Sequence, residues 1–506
     1  MHRIVKNMIF SLGGFVWPAA LTLVVTPFIV RGLGETAYGI WALVGNIVGY
    51  LSMFNSLQTA GTKYLAQYIA VNDRDNIRKL LGTSLIFNLS VGILGGGAIV
   101  AFSQILATDI FKMPEALQGQ SIVAFRLAGL GFCLGTVGWW GGAILAGLQR
   151  YDWVVGIFLA MNTFSTVGSL CVVMLGKGVI WVVLMNVIGT LLSIALYIWG
   201  VRTLLPDIRW TISFDRAMFK RIFSFGIYST LSVIFAVLAT QLDRTLLGIW
   251  IGVAAVTAYS IPLSVASRIH QLCGKTLETV FPFSSGLQAQ NRSDQLKRLF
   301  LRAQNLNMVL VVMCAVPLLV LAPEILRFWI GPDFAAKSTV VFRLLIIAYS
   351  LYALAVVTAG IVAGLGHPKL IAAFTFIFGL TSLAGYLIFI PRWGVNGAGM
   401  AAILGSAVSV PLFLWYVNNR FFRISLIEIL RSAVVRPILS GAIICAGLLL
   451  ARMLITNVFI LLSVLAVSCL AYLPVSIGLG VWQAQEINIA LQLWNRLQNI
   501  LSPKRV

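Results

Sequence analysis

Charge is scarce in this chain, and acidic charge is scarcest. Asp and Glu together number 15 of 506 residues, there are three histidines, and charged residues of both signs make up 10%. A soluble domain carries about 25% charged residues, so no stretch of this chain reads as one with its own core. His2, His270 and His367 are far apart and make no metal-ligand spacing. No Gly-x-x-x-x-Gly-Lys-Ser/Thr sequence is present, so ATP bound to this chain cannot drive its work. Gly95-Gly96-Gly97 follows no strand and is read as helix packing inside a membrane, not a nucleotide loop. The six cysteines all lie in apolar runs without a Cys-x-x-Cys pair, and read as small apolar residues, neither disulfides nor metal ligands. Nothing here marks an enzyme.

What is present is hydrocarbon. Hydrophobic residues fill 59% of the positions and the mean hydropathy is +0.96. Spanning a bilayer takes about 20 apolar residues in a helix, and runs of that length follow one another from Met8 to Trp482. The expected architecture is all-α, with fourteen transmembrane helices near 8–31, 39–62, 81–107, 121–147, 154–176, 179–201, 219–250, 255–283, 303–328, 339–364, 369–391, 397–418, 433–453 and 457–482. The first lacks a cleavage-site pattern and is expected to stay as a span. With the N-terminus on side one, that side holds 24 of the 36 Lys and Arg and the other side 8, while Arg126, Arg244, Arg268 and Lys275 fall inside spans. The bias puts both termini in the cytoplasm and accounts for the net charge of +21. No aromatic-interleaved basic domain is present, so nucleic acid is not an expected partner.

The chain also repeats. Ala143-Ile144-Leu145-Ala146-Gly147-Leu148 returns as Gly360-Ile361-Val362-Ala363-Gly364-Leu365, 217 positions on. Leu33-Gly34 with Ala37-Tyr38-Gly39-Ile40 returns as Ile251-Gly252 with Ala258-Tyr259-Ser260-Ile261, and Gly178-Val179 as Gly394-Val395. Matches at nearly one offset, each between corresponding spans, point to duplication of a six-span unit. Six is even, so both copies insert with one orientation, as in transporters whose halves rock about a central site. The expected domains are a six-helix bundle over 1–205, a second over 206–425, two extra helices over 426–484, and a tail over 485–506. In that tail Ile487, Ala490, Leu491, Trp494, Leu497 and Leu501 line one face of an interfacial helix.

The run Pro27-Phe28-Ile29-Val30-Arg31-Gly32-Leu33-Gly34 leading to Tyr38-Gly39-Ile40-Trp41 resembles the opening of bacterial polysaccharide transporters. So do Asp243-Arg244-x-Leu246-Leu247-Gly248 with Gly252 and Tyr259, and Pro391-Arg392-Trp393-Gly394-Val395-Asn396-Gly397-Ala398-Gly399. These are the O-antigen and exopolysaccharide flippases of the multidrug/oligosaccharidyl-lipid/polysaccharide superfamily. The resemblance covers the whole chain. It implies movement of undecaprenyl-diphosphate-linked oligosaccharide from the cytoplasmic to the periplasmic leaflet, with that lipid-linked oligosaccharide and membrane lipids as partners. Other polysaccharide-assembly proteins are conceivable partners, and the chain is expected to act as a monomer.

A charge at the bilayer centre costs roughly 2.5–3.5 kcal/mol on insertion scales, so each embedded one needs a reason. Arg268, Gln271, Lys275 and Glu278 share one helical face in the eighth span. Asn55, Gln58 and Lys63 form a second stripe in the second span, and Asp243 and Arg244 sit near the end of the seventh. Together they describe a hydrated, positively biased cavity walled by spans one, two, seven and eight, suited to a diphosphate that arginine can hold bidentately. Substrate-binding candidates are Arg268, Lys275, Arg244, Lys63, Gln271, Asn55 and Gln58. Asp243 and Glu278 are candidates for ion coupling. The bland readings stand beside these: Lys275 pairing with Glu278, Lys63 snorkelling to the surface, and Asp243 with Arg244 as a structural pair. Pro18, Pro27, Pro262 and Pro282 break backbone ladders and are hinge candidates, with static kinks as the alternative. Gly138-x-x-x-Gly142, Gly248-x-x-x-Gly252 and Gly360-x-x-x-Gly364 are expected to be packing faces within the chain.

No cofactor is expected. Energy is left to an H+ or Na+ gradient, the membrane potential, or consumption of the product. A peptidoglycan-precursor flippase or a drug/cation antiporter of the same superfamily remains open, although a cation pump favours acidic cavities. A membrane glycosyltransferase is a further alternative, against which stand the short loops of side two.

Overall fold

The structure is a computed structural model that describes residues 2–206, 213–276, 280–290, 292–422 and 424–482. Among them every regular element is helical. Eleven helices are long and apolar enough to cross a membrane, and the chain is a multi-pass membrane protein. Two of the expected spans, 369–391 and 397–418, lie in one of the eleven. The helices at spans seven and eight, α8 (Arg216–Trp250) and α9 (Val253–Thr276), are not among the eleven. The tail over 485–506, Glu278, and the side chains of Asn55, Gln58 and Pro282 lie outside the described residues.

Residues cluster into two compact units, Met1–Ser264 with Ala372–Gly405, and Val265–Ile371 with Ser406–Val506. In the first, α1 (His2–Leu33) carries Pro18 and Pro27 inside it. The second span is not one helix. It is α2 (Glu35–Leu51), a 3-10 stretch Ser52–Leu57 that holds Asn55, and α3 (Gln58–Ala70). Then follow α4 (Arg74–Ile105), α5 (Glu115–Gly147), α6 (Tyr151–Met174) and α7 (Val179–Leu204).

Glycine sets how closely α4 and α5 approach. A Cβ on Gly96 would collide with the Gly129 carbonyl oxygen, and one on Gly129 would stand 2.6 Å from that of Gly96. The Gly95-Gly96-Gly97 run is thus a packing face, as expected, although Gly97 itself meets nothing within 4 Å. Gly141 and Gly142 pack on Tyr197 of α7. Gly248 packs on Leu43 and Phe111, while Gly252 and Gly360 have nothing within 4 Å of a Cβ among the described residues. Gly252 instead turns the chain between α8 and α9 at φ 118°, as its repeat partner Gly34 does between α1 and α2 at φ 81°.

Helix α15 (Pro368–Val417) is broken at Gly394, whose φ of 54° and ψ of −128° no helix contains. Its halves fold back on each other: Gly385 lies against Ala401, and Gly405 against the Ser382 hydroxyl. The two expected spans are therefore an antiparallel pair joined by a tight turn at residues 392–396.

In the second unit α11 (Ser293–Val320) is central. With α12 (Ala322–Trp329), α13 (Pro332–Ala353), α14 (Ala355–Gly364), α17 (Val435–Ala451) and α18 (Val458–Gly478) it encloses a core of Met308, Val309, Val312, Ile444, Leu448 and Tyr472. Three carboxamides on α11 serve the breaks in its neighbours. Asn307 Nδ2 donates to Ala353 O at 2.9 Å and Gln304 Nε2 to Leu354 O at 3.1 Å, at the junction of α13 and α14. Asn305 Nδ2 donates to Ala433 O at 3.4 Å, in the π-turn before α17. Inside hydrocarbon no water takes up such carbonyls, so the chain supplies the donors itself.

Candidate functional site

The first unit contains a cavity of about 550 Å³, the size of a small-molecule site. Its walls come from α2, α5 and α7, with Arg244 of α8 and Ser260 of α9. Two aromatic pairs face it. Tyr38 and Trp41 meet edge-to-face at 5.3 Å, and Phe132 and Trp139 at 5.6 Å. The indoles are half-buried, each braced by a buried ring. A second cavity of about 310 Å³ shares Gly135, Trp139, Asn186 and Thr190 with the first.

A polar network holds α8 against α2. Asn46 Nδ2 donates to Gln241 O at 3.1 Å and to Thr245 Oγ1 at 2.8 Å. Tyr50 and Thr245 share a further hydrogen bond at 2.8 Å. Gly49 leaves the room: a Cβ there would stand 2.5 Å from Gln241 Nε2. Arg244 Nη2 donates to Thr240 O at 2.8 Å and to Gln241 Oε1, and its Nε lies 3.5 Å from Asp243 Oδ1. Asp243 is 2% exposed; it accepts the Arg244 backbone N–H at 2.7 Å and bonds the Tyr259 hydroxyl. The adjacent Asp243 and Arg244 are thus brought together as an ion pair with carboxamide and phenol support.

Three cavity-wall residues each keep a buried polar atom that has no hydrogen-bond partner among the described residues: Asn46 Oδ1, Arg244 Nε and Ser260 Oγ. Asn162 Oδ1, on the wall of the adjoining cavity, is a fourth. Each of these atoms is itself enclosed and faces its protein neighbours instead of the cavity, Arg244 Nε the Asp243 carboxylate at 3.5 Å; an unmet buried polar atom costs about 1–3 kcal/mol.

Of the sequence candidates, Arg244 lines this cavity and Lys63 does not. Lys63 is exposed, with its ammonium 5.5 Å from the Tyr64 ring centroid. In the second unit Arg268 is half-buried and donates Nη1 to Gln271 Oε1 at 3.1 Å, so the helical face read from the sequence does bring these two together. Lys275, at the last turn of α9, is exposed. Pro262 lies inside α9 and Pro282 in the first turn of α10 (Val280–Ala289). Arg126 is exposed and donates Nε to Ser103 Oγ at 3.2 Å. Sequence reasoning passed over Trp41, Asn46, Trp139, Asn186 and Ser260. The missed signal was the carboxamides: Asn186 is the one amide of span 179–201, and Asn46 stands in the same span as Asn55 and Gln58.

The chain matches the family described as Polysaccharide biosynthesis protein over residues 28–339. It belongs to that family. It is 23% identical over 421 residues to a Putative O-antigen transporter from Shigella flexneri, covering 81% of this chain and 97% of the relative. It is 24% identical over 419 residues to the Probable low-salt glycan biosynthesis flippase Agl15 of Haloferax volcanii, covering 80% and 81%. Among solved structures, the Lipid II flippase MurJ in an inward closed conformation superposes with a TM-score of 0.73 at 12% identity, over 92% of this chain and 98% of that one. The fold is that of the multidrug/oligosaccharidyl-lipid/polysaccharide superfamily.

Proposed function

We propose that this member of the polysaccharide biosynthesis family is a flippase for undecaprenyl-diphosphate-linked oligosaccharide, moving the repeat unit of an O-antigen or exopolysaccharide from the cytoplasmic to the periplasmic leaflet. The observation that carries the reading is a cavity with aromatic walls and a few polar groups, Asn186, Thr190 and Arg244 among them, set among membrane-spanning helices in a chain of this family. A hydrophilic head group cannot enter hydrocarbon unaided, because an unpaired anion or unmet hydroxyl is too costly there; a cavity offering partners lowers that cost. The names of the Shigella and Haloferax relatives support the same cargo class.

In this reading the six-span repeats, 1–205 and 206–425, alternate access to a shared path, and helices 13 and 14 over 426–484 give the lipid tail an apolar surface. Arg268, Lys275, Lys63 and Arg244 supply the cations for the diphosphate, aided by Gln271, Asn55 and Gln58. Asp243 or Glu278 couples an ion gradient, and Pro18, Pro27, Pro262 and Pro282 serve as bending points. The protein resides in the inner membrane with both termini in the cytoplasm.

The experiment is lipid-linked oligosaccharide profiling in a deletion strain, paired with leaflet-accessibility measurement in inside-out vesicles. Accumulation of a complete repeat unit on undecaprenyl diphosphate, held on the cytoplasmic side, is the expected result. Accumulation of a peptidoglycan precursor would reassign the cargo. An unchanged lipid-linked pool would end the flippase reading.

A further inference from the structure

We infer that a cleft at one membrane face of the second unit, between α12, the start of α13 and the end of α17, binds the headgroup of an anionic phospholipid. None of its residues belongs to the first-unit cavity or to the cargo candidates, so it stands whatever the cargo is.

The cleft encloses about 770 Å³. Two spans have their ends there: α13 starts at Pro332, and the span that holds α17 stops at Leu454. The cleft therefore sits at the edge of the hydrocarbon. On the α13 side it is lined by Ala335, Ala336 and Thr339, side chains too small to fill it. The sequence places only 8 of the 36 Lys and Arg on this side of the membrane, and two of them share this cleft.

Glu324 and Arg327 of α12 and Arg452 after α17 are the charged residues of the wall. Arg452 Nε donates to Glu324 Oε1 at 2.5 Å, and the Glu324 side chain is only 15% exposed. The other carboxylate oxygen, Oε2, is enclosed and out of a ligand's reach. The pair fixes the guanidinium by one edge and leaves both terminal amino groups of Arg452 without a partner among the described residues. Arg327 is exposed and makes no hydrogen bond or ion pair among the described residues. The cleft thus presents two guanidinium groups, and its one carboxylate is already taken.

That wall selects among ligands. Arginine grips phosphate oxygens through paired N–H groups. On the hydrocarbon side the lip is apolar, with Leu449 and Met453 at 52% and 86% exposed. A soluble anion gains nothing from such a lip, whereas a lipid lays the first methylenes of a chain on it. A zwitterionic headgroup also brings an ammonium, which needs an acid or an aromatic face. The acid is used by Arg452, and Phe328, the aromatic residue of the wall, already has the Arg327 guanidinium 5.9 Å from its ring centroid. A phosphodiester with an uncharged glycerol head meets the two arginines and asks for nothing else.

Arg327→Gln and Ala336→Leu test the site. Both positions are exposed, so neither substitution disturbs the core; the first removes a cation and the second fills the cleft. The protein is reconstituted in phosphatidylcholine vesicles containing phosphatidylglycerol with a photoactivatable group near the top of one acyl chain. Labelled peptides are mapped by mass spectrometry after illumination. Label should fall on residues 449–455 and drop about tenfold in each variant, at an unchanged thermal midpoint and with label elsewhere on the chain unchanged. The same probe carried on a phosphatidylcholine headgroup should label 449–455 about tenfold less. Equal labelling by the two headgroups, or equal labelling of Arg327→Gln and wild type, overturns the site. Competition separates the sources of a phosphate: excess unlabelled phosphatidylglycerol should remove the label and inorganic phosphate should not. Displacement by inorganic phosphate would make this a free-anion site. Displacement by undecaprenyl phosphate at lower concentration than phosphatidylglycerol would give the cleft to a carrier lipid. Either result ends the phospholipid assignment.

Discussion

Gln149 and Gly366 occupy the same place in two copies of one turn. At the end of α5, Leu148 N–H donates to Ile144 O, Gln149 N–H to Ala146 O and Arg150 N–H to Leu145 O; at the end of α14, Leu365, Gly366 and His367 donate to Ile361, Ala363 and Val362. Each donor and each acceptor is shifted by the same 217 positions. Both are Schellman endings whose key residue needs a left-handed backbone, and φ is 58° at Gln149 and 76° at Gly366. Glycine is at home there, glutamine is not.

Gln149→Gly should therefore raise stability, by about 0.5–1 kcal/mol, and Gly366→Gln should lower it by about the same. Thermal midpoints of the purified variants read both. Movement in one direction for both substitutions would mean that something other than the backbone angle governs the turn.

The glycine run in α4 gives a contrast within three residues. Gly96→Ala pushes a methyl into the Gly129 carbonyl and should cost about 1–3 kcal/mol, the usual penalty of overpacking. Gly97→Ala meets open space and should be neutral or gain up to about 1 kcal/mol from helix propensity. Equal midpoints for the two variants would contradict the close α4–α5 approach.

The carboxamides of α11 predict a deficit of a different kind. Asn307→Leu keeps the bulk and strands the Ala353 carbonyl, at about 1–3 kcal/mol. The effect should concentrate where α13 meets α14, seen as faster amide exchange at Leu354 and Ala355. Uniform destabilisation without local exchange would point to lost packing instead.

The sequence shows the helices better than their interruptions. Apolar runs locate the spans, since nothing else tolerates such composition, although ends differ by up to about ten residues, as for α11 at Ser293–Val320 against 303–328. The break at Gly394 was legible from Pro391, Arg392 and Gly394 between the spans 369–391 and 397–418, whereas the 3-10 stretch over Ser52–Leu57 carries no proline or glycine to betray it. The matching helix ends were legible because they keep their residues: Ala146-Gly147-Leu148 and Ala363-Gly364-Leu365. Insertion cost draws attention to charges, and it pointed to Arg244 with Asp243 at the cavity and, in the second unit, to Arg268 with Gln271. Tryptophan is cheap to insert, and a neutral asparagine costs less attention than a charge although its amide must find a partner, so the wall formed by Trp41, Asn46 and Trp139 emerges only when the helices are assembled.

The remaining prediction concerns Arg268. It is half-buried on the face it shares with Gln271, to which it donates at 3.1 Å. If it holds the diphosphate during transfer, Arg268→Ala should abolish surface polysaccharide at normal protein levels, since the anion then enters low dielectric without its partner. Arg268→Lys should recover part of the activity, because charge returns without the planar fork that grips two oxygens at once. Gln271→Leu should cost less than either, as it removes a group that orients the guanidinium and not the charge. Surface polysaccharide and lipid-linked intermediates are measured together, so that loss of flipping separates from loss of synthesis. Wild-type polysaccharide in Arg268→Ala would remove Arg268 from the transfer path. Equal loss in the Ala and Lys variants would leave it a structural role, which the thermal midpoints would register.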